Sequence, residues 1–159
     1  MGKKNQINII LDNIRSALNV GAIFRTCDAA NISKLHLCGI TAYPPHNKIP
    51  KTALGATKTV SWKHYQSTEK AVIKSKNLNY KIISVELTPK SINFWDYNFE
   101  QPLSLIFGNE ITGISKEILN LSDSIIKVPM FGSKKSLNVA TTCGIVLYEV
   151  LRKINILKE

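Results

Sequence analysis

The hydrophobic positions of this chain form short runs that alternate with segments of helical spacing. Five runs predict buried strands because they are short, apolar and bounded by turn residues; they cover residues 7–11, 34–40, 80–87, 103–107 and 124–130. Strands that alternate with helices favour an α/β fold, in which a mostly parallel sheet is flanked by helices. Ligands bind beside the carboxyl ends of such strands. This rule directs attention to residues 86–89, 108–113 and 129–138.

The remaining segments are predicted as helices and one long loop. Apolar residues one helical turn apart predict a helix over residues 19–31, and further helices are predicted over about 67–76, 115–121 and 138–153. Residues 41–59 contain three prolines and Gly55, which predicts a long loop with one short helical turn. A loop of this length inside a compact domain is usually functional or mobile.

Composition excludes several classes of protein. A chain of 159 residues predicts one domain, and its 44% hydrophobic and 20% charged content excludes a mostly disordered chain. No apolar run approaches the roughly 18–20 residues of a membrane span. The N-terminus has no secretory pattern, so a cytoplasmic protein is expected. Three cysteines and three histidines lack metal-ligand spacing, so no metal is expected and the thiols are predicted to be buried and reduced.

Positive charge is concentrated in one part of the chain. The formal net charge is +10, and residues 34–81 contain nine lysines but only one acid, Glu69. A basic segment of this kind suits a polyanion such as RNA, although a solvated lysine-rich surface would have the same composition. Tyr43, Trp62, Tyr65 and Tyr80 interleave with these lysines and could stack on bases. Trp62 and Tyr80 flank apolar runs, which is more typical of core residues.

Three segments contain residues that are unusual for a purely structural role. The first, residues 19–26, has Gly21 in a helical turn, which suggests a close backbone approach. In the alternative interpretation, Asn19 caps the helix and Arg25 is a surface cation. The second, residues 107–113, begins with a glycine directly after a strand, where a ligand could touch the backbone, or where an ordinary turn could form. The third, residues 128–138, ends in Ser136 and Asn138, either of which could cap the last helix.

Taken together and in order, these segments resemble the SpoU (TrmH-type) ribose 2′-O-methyltransferases of the SPOUT superfamily of RNA methyltransferases. The motifs are Asn19-Val-Gly-x-x-x-Arg25, Phe107-Gly-Asn-Glu-x-x-Gly113 and Pro129-Met130 followed by Ser136-Leu-Asn138. The resemblance implies S-adenosylmethionine as methyl donor, an RNA substrate, a homodimer and a C-terminal trefoil knot. The basic segment at residues 34–81 fits a compact substrate such as a tRNA arm, which favours tRNA over the alternative of rRNA. Because the first strand is predicted near residue 7, we expect one catalytic domain over residues 1–159, without the RNA-binding domain that many relatives add.

The resemblance also implies roles for individual residues. Arg25 would be catalytic, either as a base assisted by the substrate phosphate or as a clamp on that phosphate. Glu110, Ser136 and Asn138 would be its polar companions at the active site. Cofactor contacts would come from the strand ends and the last loop, through Glu86, Leu87, Gly108, Val128, Met130 and Leu137. Valine at Gly108 is expected to fill cofactor space while leaving the fold intact. For RNA binding we expect Asn19 and Arg25, together with Lys48, Lys51 and Lys58.

Two other functions have some support from the sequence. One is a non-catalytic RNA-binding or ribosome-associated protein on the same scaffold, although such a protein has no use for the complete set Arg25, Glu110, Ser136 and Asn138. The other is a small nucleotide-binding α/β enzyme unrelated to RNA. The absence of a Gly-x-Gly-x-x-Gly or Gly-Lys-Ser/Thr loop disfavours that enzyme, and it leaves the basic segment unexplained.

Overall fold

The computed structural model describes residues 2–156 and contains one sheet of seven parallel strands. The strands are β1 (Asn5–Asp12), β2 (Ile32–Cys38), β3 (Trp62–Tyr65), β4 (Lys81–Val85), β5 (Ile92–Asn93), β6 (Leu103–Gly108) and β7 (Ser124–Lys127). They lie side by side in the order β3-β2-β1-β6-β4-β7-β5, and every pairing is parallel. The predicted α/β class and parallel sheet are therefore confirmed.

Helices cover both faces of this sheet. They are α1 (Ala17–Ala29), α2 (Ile49–Ala53), α3 (Thr68–Asn77), α4 (Lys116–Leu121) and α5 (Val139–Ile156), with a single 3₁₀ turn at Ala56–Lys58. Core residues of α1, α2 and α5 pack on one face, and those of α3 and α4 pack on the other. All three cysteines are buried free thiols, as predicted. No helix in the described part of the chain is long and apolar enough to cross a membrane.

The sequence missed two strands and misplaced several boundaries. Strand β3 has four residues at the edge of the sheet, and none of them is fully buried, so its hydrophobic signal is weak. Strand β5 has only two residues. Helix α1 begins at Ala17 rather than at residue 19, because the Ser16 side chain is the cap and accepts a hydrogen bond from the backbone of Asn19. The predicted loop over residues 41–59 contains α2 and the 3₁₀ turn, two helical elements instead of one.

Helix α2 lies directly against helix α1. A Cβ atom built on Gly21 would overlap Thr52 Oγ1 and the carbonyl oxygen of Ile49, so the two backbones meet where only glycine fits. The Thr52 hydroxyl donates to the carbonyl of Leu18 at 2.7 Å. Further along the loop, the Thr59 hydroxyl donates to Asp28 at 2.5 Å. The close backbone approach predicted for Gly21 is therefore confirmed. Together with these two hydrogen bonds, it holds the segment over residues 41–59 against α1.

Replacing Gly21 with alanine is expected to lower the free energy of unfolding by about 1–3 kcal/mol, because the added methyl group overfills the α1–α2 contact. Gly144→Ala is the matched control in α5, since its Cβ would meet only Thr26 Cγ2, at 4.0 Å. There, alanine should stabilise the helix by up to about 1 kcal/mol. Urea denaturation of both variants measures the difference. Equal stability of Gly21→Ala and the native protein would show that α2 can move away without cost.

Candidate active site

A pocket of about 710 Å³ opens at the carboxyl ends of β4, β6 and β7. This is the edge of the sheet where a parallel α/β fold places its ligand site. All six residues predicted to contact the cofactor line it, as do three of the four residues predicted to be catalytic; the nine are Glu86, Leu87, Gly108, Glu110, Val128, Met130, Ser136, Leu137 and Asn138. The fold thus brings together residues from three distant segments of the chain.

Gly108 is needed for the chain's own packing. A Cβ atom there would lie 2.6 Å from Ile114 Cγ1 and 2.7 Å from the Gly113 carbonyl carbon. The loop after β6 folds back over Gly108, and Gly113 (φ +68°) abuts the Glu86 carboxylate. The expectation that valine at position 108 would leave the fold intact is therefore wrong, because the side chain would collide with this returning backbone before it met any ligand.

The Glu110 carboxylate connects the loop after β6 to the start of α1. Its oxygens accept hydrogen bonds from the backbone N–H groups of Arg15 at 2.9 Å and Ser16 at 3.2 Å, and Asn19 Nδ2 lies at 3.4 Å. Partial burial acts to raise the pKa of Glu110, but these hydrogen bonds outweigh it and the pKa is lowered. At neutral pH the group is therefore an ionised acceptor, held by the amino end of a helix.

Asn138 joins the last helix to the first. Its side-chain oxygen accepts the backbone N–H groups of Ala140 at 2.9 Å and Thr141 at 3.2 Å, so it caps α5. Its amide nitrogen donates to Asn19 Oδ1 at 3.1 Å. Asn19 thus contacts both Glu110 and Asn138, and the three side chains form one polar cluster at the rim of the pocket. Asn19 does not cap α1, in contrast to the alternative suggested by the sequence.

Ser136 and Arg25 remain available for a ligand. Ser136 is exposed in the pocket wall, and its hydroxyl has no hydrogen-bond partner within residues 2–156. Arg25 is exposed on α1 and does not line the pocket of its own chain. At 3.6 residues per turn, Arg25 leaves the helix about 120° around from Asn19 but only about 40° from Gly21. It therefore points towards the side of α1 that α2 covers, away from the polar cluster.

Sequence reasoning missed two residues of this site. Asn109 donates through Nδ2 to the carbonyl of Asn13 at 2.8 Å, and its oxygen accepts the N–H groups of Ile111 and Thr112 at 2.9 and 3.0 Å. The Asn after a strand-end glycine is a typical signal for such a turn. Thr142 lines the pocket one helical turn after Asn138, where the helical spacing could have indicated it. Among residues 2–156, no group of three or more metal-ligating side chains is present.

Comparison with known proteins identifies this arrangement. The model of the SpoU rRNA Methylase family matches residues 6–148. The chain belongs to the SpoU family. A curated relative, the tRNA (guanosine(18)-2′-O)-methyltransferase of Aquifex aeolicus, is 32% identical over 155 residues, which cover 95% of this chain and 71% of the relative. This match confirms the family expected from the three motifs. A SpoU-family protein is an RNA 2′-O-ribose methyltransferase.

Solved structures of SpoU proteins agree with the fold. The crystal structure of the A. aeolicus TrmH/SpoU tRNA modifying enzyme is 29% identical, with a TM-score of 0.87 over 97% of this chain and 78% of that one. The AdoMet-bound rRNA methyltransferase of Sinorhizobium meliloti is 25% identical, with a TM-score of 0.85 over 94% of this chain and 57% of that one. SpoU methyltransferases bind S-adenosylmethionine, and the likeness implies the C-terminal trefoil knot of this fold.

The Glu110 carboxylate generates a pH-dependent prediction. Because its pKa is lowered in the folded protein, its stabilising effect is present above the unfolded pKa, near 4.5, and is lost as the pH falls through the folded pKa. The free energy of unfolding of Glu110→Gln should therefore fall furthest below that of the native protein at neutral pH, and the gap should narrow in acid. Urea titrations across this pH range test it. A gap of the same size at every pH would contradict this role for the carboxylate.

Proposed function

We propose that this SpoU-family protein transfers a methyl group from S-adenosylmethionine to a ribose 2′-hydroxyl of tRNA. The observation that carries the proposal is the pocket itself, where nine residues expected from the family resemblance line one cavity. The choice of tRNA over rRNA follows the curated relatives, since those from Borreliella burgdorferi and A. aeolicus are both tRNA (guanosine(18)-2′-O)-methyltransferases. The basic segment at residues 34–81 supports a polyanionic substrate.

The residues that line the pocket fit S-adenosylmethionine. A volume of about 710 Å³ lies within the roughly 300–1,000 Å³ of sites for ligands of this size. Leu87, Val128, Met130 and Leu137 offer apolar walls for an adenine ring, while the Ser136 hydroxyl and the strand-end backbone offer polar contacts. When bound, the cofactor supplies a methyl group on a positively charged sulfur. The chain must then hold the ribose hydroxyl against that group and help it lose its proton.

The polar residues have different roles in positioning the ribose hydroxyl. Glu110 is a poor proton acceptor, because both of its oxygens are engaged by N–H groups and its pKa is lowered. Its role is to hold the start of α1, and with it Asn19, beside Asn138. The guanidinium of Arg25 has hydrogen-bond donors and no acceptor, so it acts as a clamp on the substrate phosphate and positions the neighbouring hydroxyl. Ser136 is free to contact cofactor or substrate.

A second copy of the chain completes this site. Arg25 does not line the pocket of its own chain. Helices α1 and α5 contact each other, and both expose large apolar side chains, with Leu18 at 45% exposure on α1 and Ile145 and Tyr148 at 39% and 52% on α5. Exposed apolar residues on neighbouring elements are typical of a protein–protein contact. A homodimer through α1 and α5 buries them and brings Arg25 of one chain towards the pocket of the other, with Lys48, Lys51 and Lys58 nearby to hold RNA.

Replacing Leu87 with tryptophan is expected to abolish binding of S-adenosylmethionine, because a larger ring at this exposed wall residue fills the pocket without entering the core. Calorimetry measures binding, and transfer of labelled methyl groups into unfractionated tRNA measures activity. Ile73→Trp on α3, at similar exposure but outside the pocket, is the control and should leave both unchanged. If native protein binds the cofactor but labels no RNA, the alternative of a non-catalytic RNA-binding protein is favoured. Label in rRNA instead would correct the substrate.

Mixing Arg25→Ala protein with Leu87→Trp protein is expected to restore activity. Each variant alone lacks one part of every site, whereas a mixed dimer pairs the intact Arg25 of one chain with the intact pocket of the other. Random exchange should recover about a quarter of the native activity, with one intact site in half of the dimers. No recovery, with subunit exchange confirmed by differently tagged chains, would place Arg25 and the pocket in the same chain.

A further inference from the structure

A second concave surface also lies at the carboxyl ends of the strands, outside the cofactor pocket. It is a groove of about 540 Å³, formed by residues of the loop before α2, of α2 itself and of the 3₁₀ turn; they include Pro44, Pro45, Asn47, Ile49, Pro50 and Thr57. Tyr43 immediately precedes the groove in sequence and is 45% exposed. Neither Tyr43 nor the groove has a role in the site described above.

Tyr43 is held rigidly by its neighbours. Its ring packs on His64, with ring centroids 4.1 Å apart, and on Trp62 at 6.3 Å. His64 is fixed in turn by a 3.0 Å hydrogen bond between Nε2 and the carbonyl of Gly39. Two residues before Tyr43, the buried Thr41 hydroxyl donates to the Cys38 carbonyl at 2.7 Å. An exposed aromatic ring that is already ordered loses little conformational entropy when a second ring stacks on it.

The charge around the groove suits RNA. Residues 29–68 contain five lysines and no acidic residue. Lys48, Lys51 and Lys58 follow the loop around the groove, and all three are exposed. Proteins that bind single-stranded RNA combine positive charges, which follow the backbone, with aromatic rings on which bases stack. A paired base would not fit this description, because its faces are already covered within the helix.

The groove is connected to the reaction site through one helix. Helix α2 contributes Ile49 and Pro50 to the groove and packs on Gly21 of α1. Arg25 leaves α1 only about 40° around from Gly21, one turn further on, so it faces the same side. RNA held at Arg25 therefore reaches the groove within a few nucleotides.

We propose that Tyr43 and the adjacent proline-lined groove bind an unpaired base of the substrate RNA, a few nucleotides from the methylated ribose. The base stacks on the Tyr43 ring, and its flanking phosphates face Lys48, Lys51 and Lys58. This subsite rests on the proposed RNA methyltransferase function and narrows the class of substrate. The substrate must present its target in a loop or single strand rather than in a continuous helix.

Binding of a short oligoadenylate that contains one 2-aminopurine tests the proposal. Tyr43→Ala should weaken binding by about 5- to 150-fold, the range expected for one base–aromatic stack. Tyr43→Phe should keep most of the affinity. The 2-aminopurine fluorescence should be quenched by native protein and less so by Tyr43→Ala. Tyr80→Ala is the matched control and should leave oligoadenylate binding unchanged. Tyr80 lies in the same basic segment, but it directly precedes β4 and is therefore at the amino end of that strand, away from the groove.

A salt series separates stacking from charge. Stacking releases no counterions, so Tyr43→Ala should lower affinity without changing the slope of log affinity against log salt. Exchanging Lys48, Lys51 and Lys58 for glutamine should flatten that slope by roughly two units, at about 0.7 per phosphate contact on a single strand. A blunt RNA duplex, which has no unpaired base, should bind native and Tyr43→Ala protein equally.

Three results would overturn the subsite: equal oligoadenylate binding by native and Tyr43→Ala protein, an equal loss of duplex binding, or no binding of oligoadenylate at all. Binding of S-adenosylmethionine and methyl transfer to tRNA are measured in parallel. If both persist, only the subsite is wrong. If native protein shows neither, the proposed function is wrong as well.

Discussion

The geometry of this site depends on the attachment of the Glu110 carboxylate to the two residues directly before α1. The carboxylate accepts hydrogen bonds from the N–H groups of Arg15 and of the cap residue Ser16, which the hydrogen bonds of the helix do not engage. The sheet register makes this contact possible, because Asp12 of β1 pairs with Gly108 of β6. The two strands therefore end at the same level, and the loops that follow them meet. Once the start of α1 is fixed, so are Asn19 and, through Gly21, the position of α2.

The same attachment explains why the pocket can be assembled from distant parts of the chain. Asn138 lies more than a hundred residues after Asn19, and yet the two amides are hydrogen-bonded while Asn138 also caps α5. Each of these side chains thus stabilises the fold and also forms part of the site. Substitutions here will change the position of neighbouring groups as well as remove a contact, so loss of activity alone does not identify a catalytic residue. Ser136 also lines the pocket but has no hydrogen bond within residues 2–156, so it is the exception among the predicted catalytic residues that line it.

Much of the fold could be predicted from the sequence, because its central strands are fully buried. Strands β1, β4 and β6 are nearly continuous apolar runs, as expected of strands covered on both faces. The edge strand β3 has the sequence Trp-Lys-His-Tyr and is only half covered, so neither a continuous run nor a clear alternation marks it. Local pattern also contains no information on strand order, and the trefoil knot was expected from family resemblance alone.

The residues of the site were easier to predict than their roles. Nine of the residues expected from the family resemblance line the pocket, but the space beside Gly108 is occupied by the chain's own returning loop. A glycine after a strand signals a close approach without showing what approaches. Helix α1 illustrates the same limit: Asn19 contacts the rim of the pocket, whereas Gly21 and, one turn further on, Arg25 lie on the side towards α2. A motif read along one line of sequence is thus divided by the helical period between two sides of the helix. Since both sides belong to one rigid helix, the residue that contacts the rim of the pocket and the residues beside α2 are held in a fixed relation to each other.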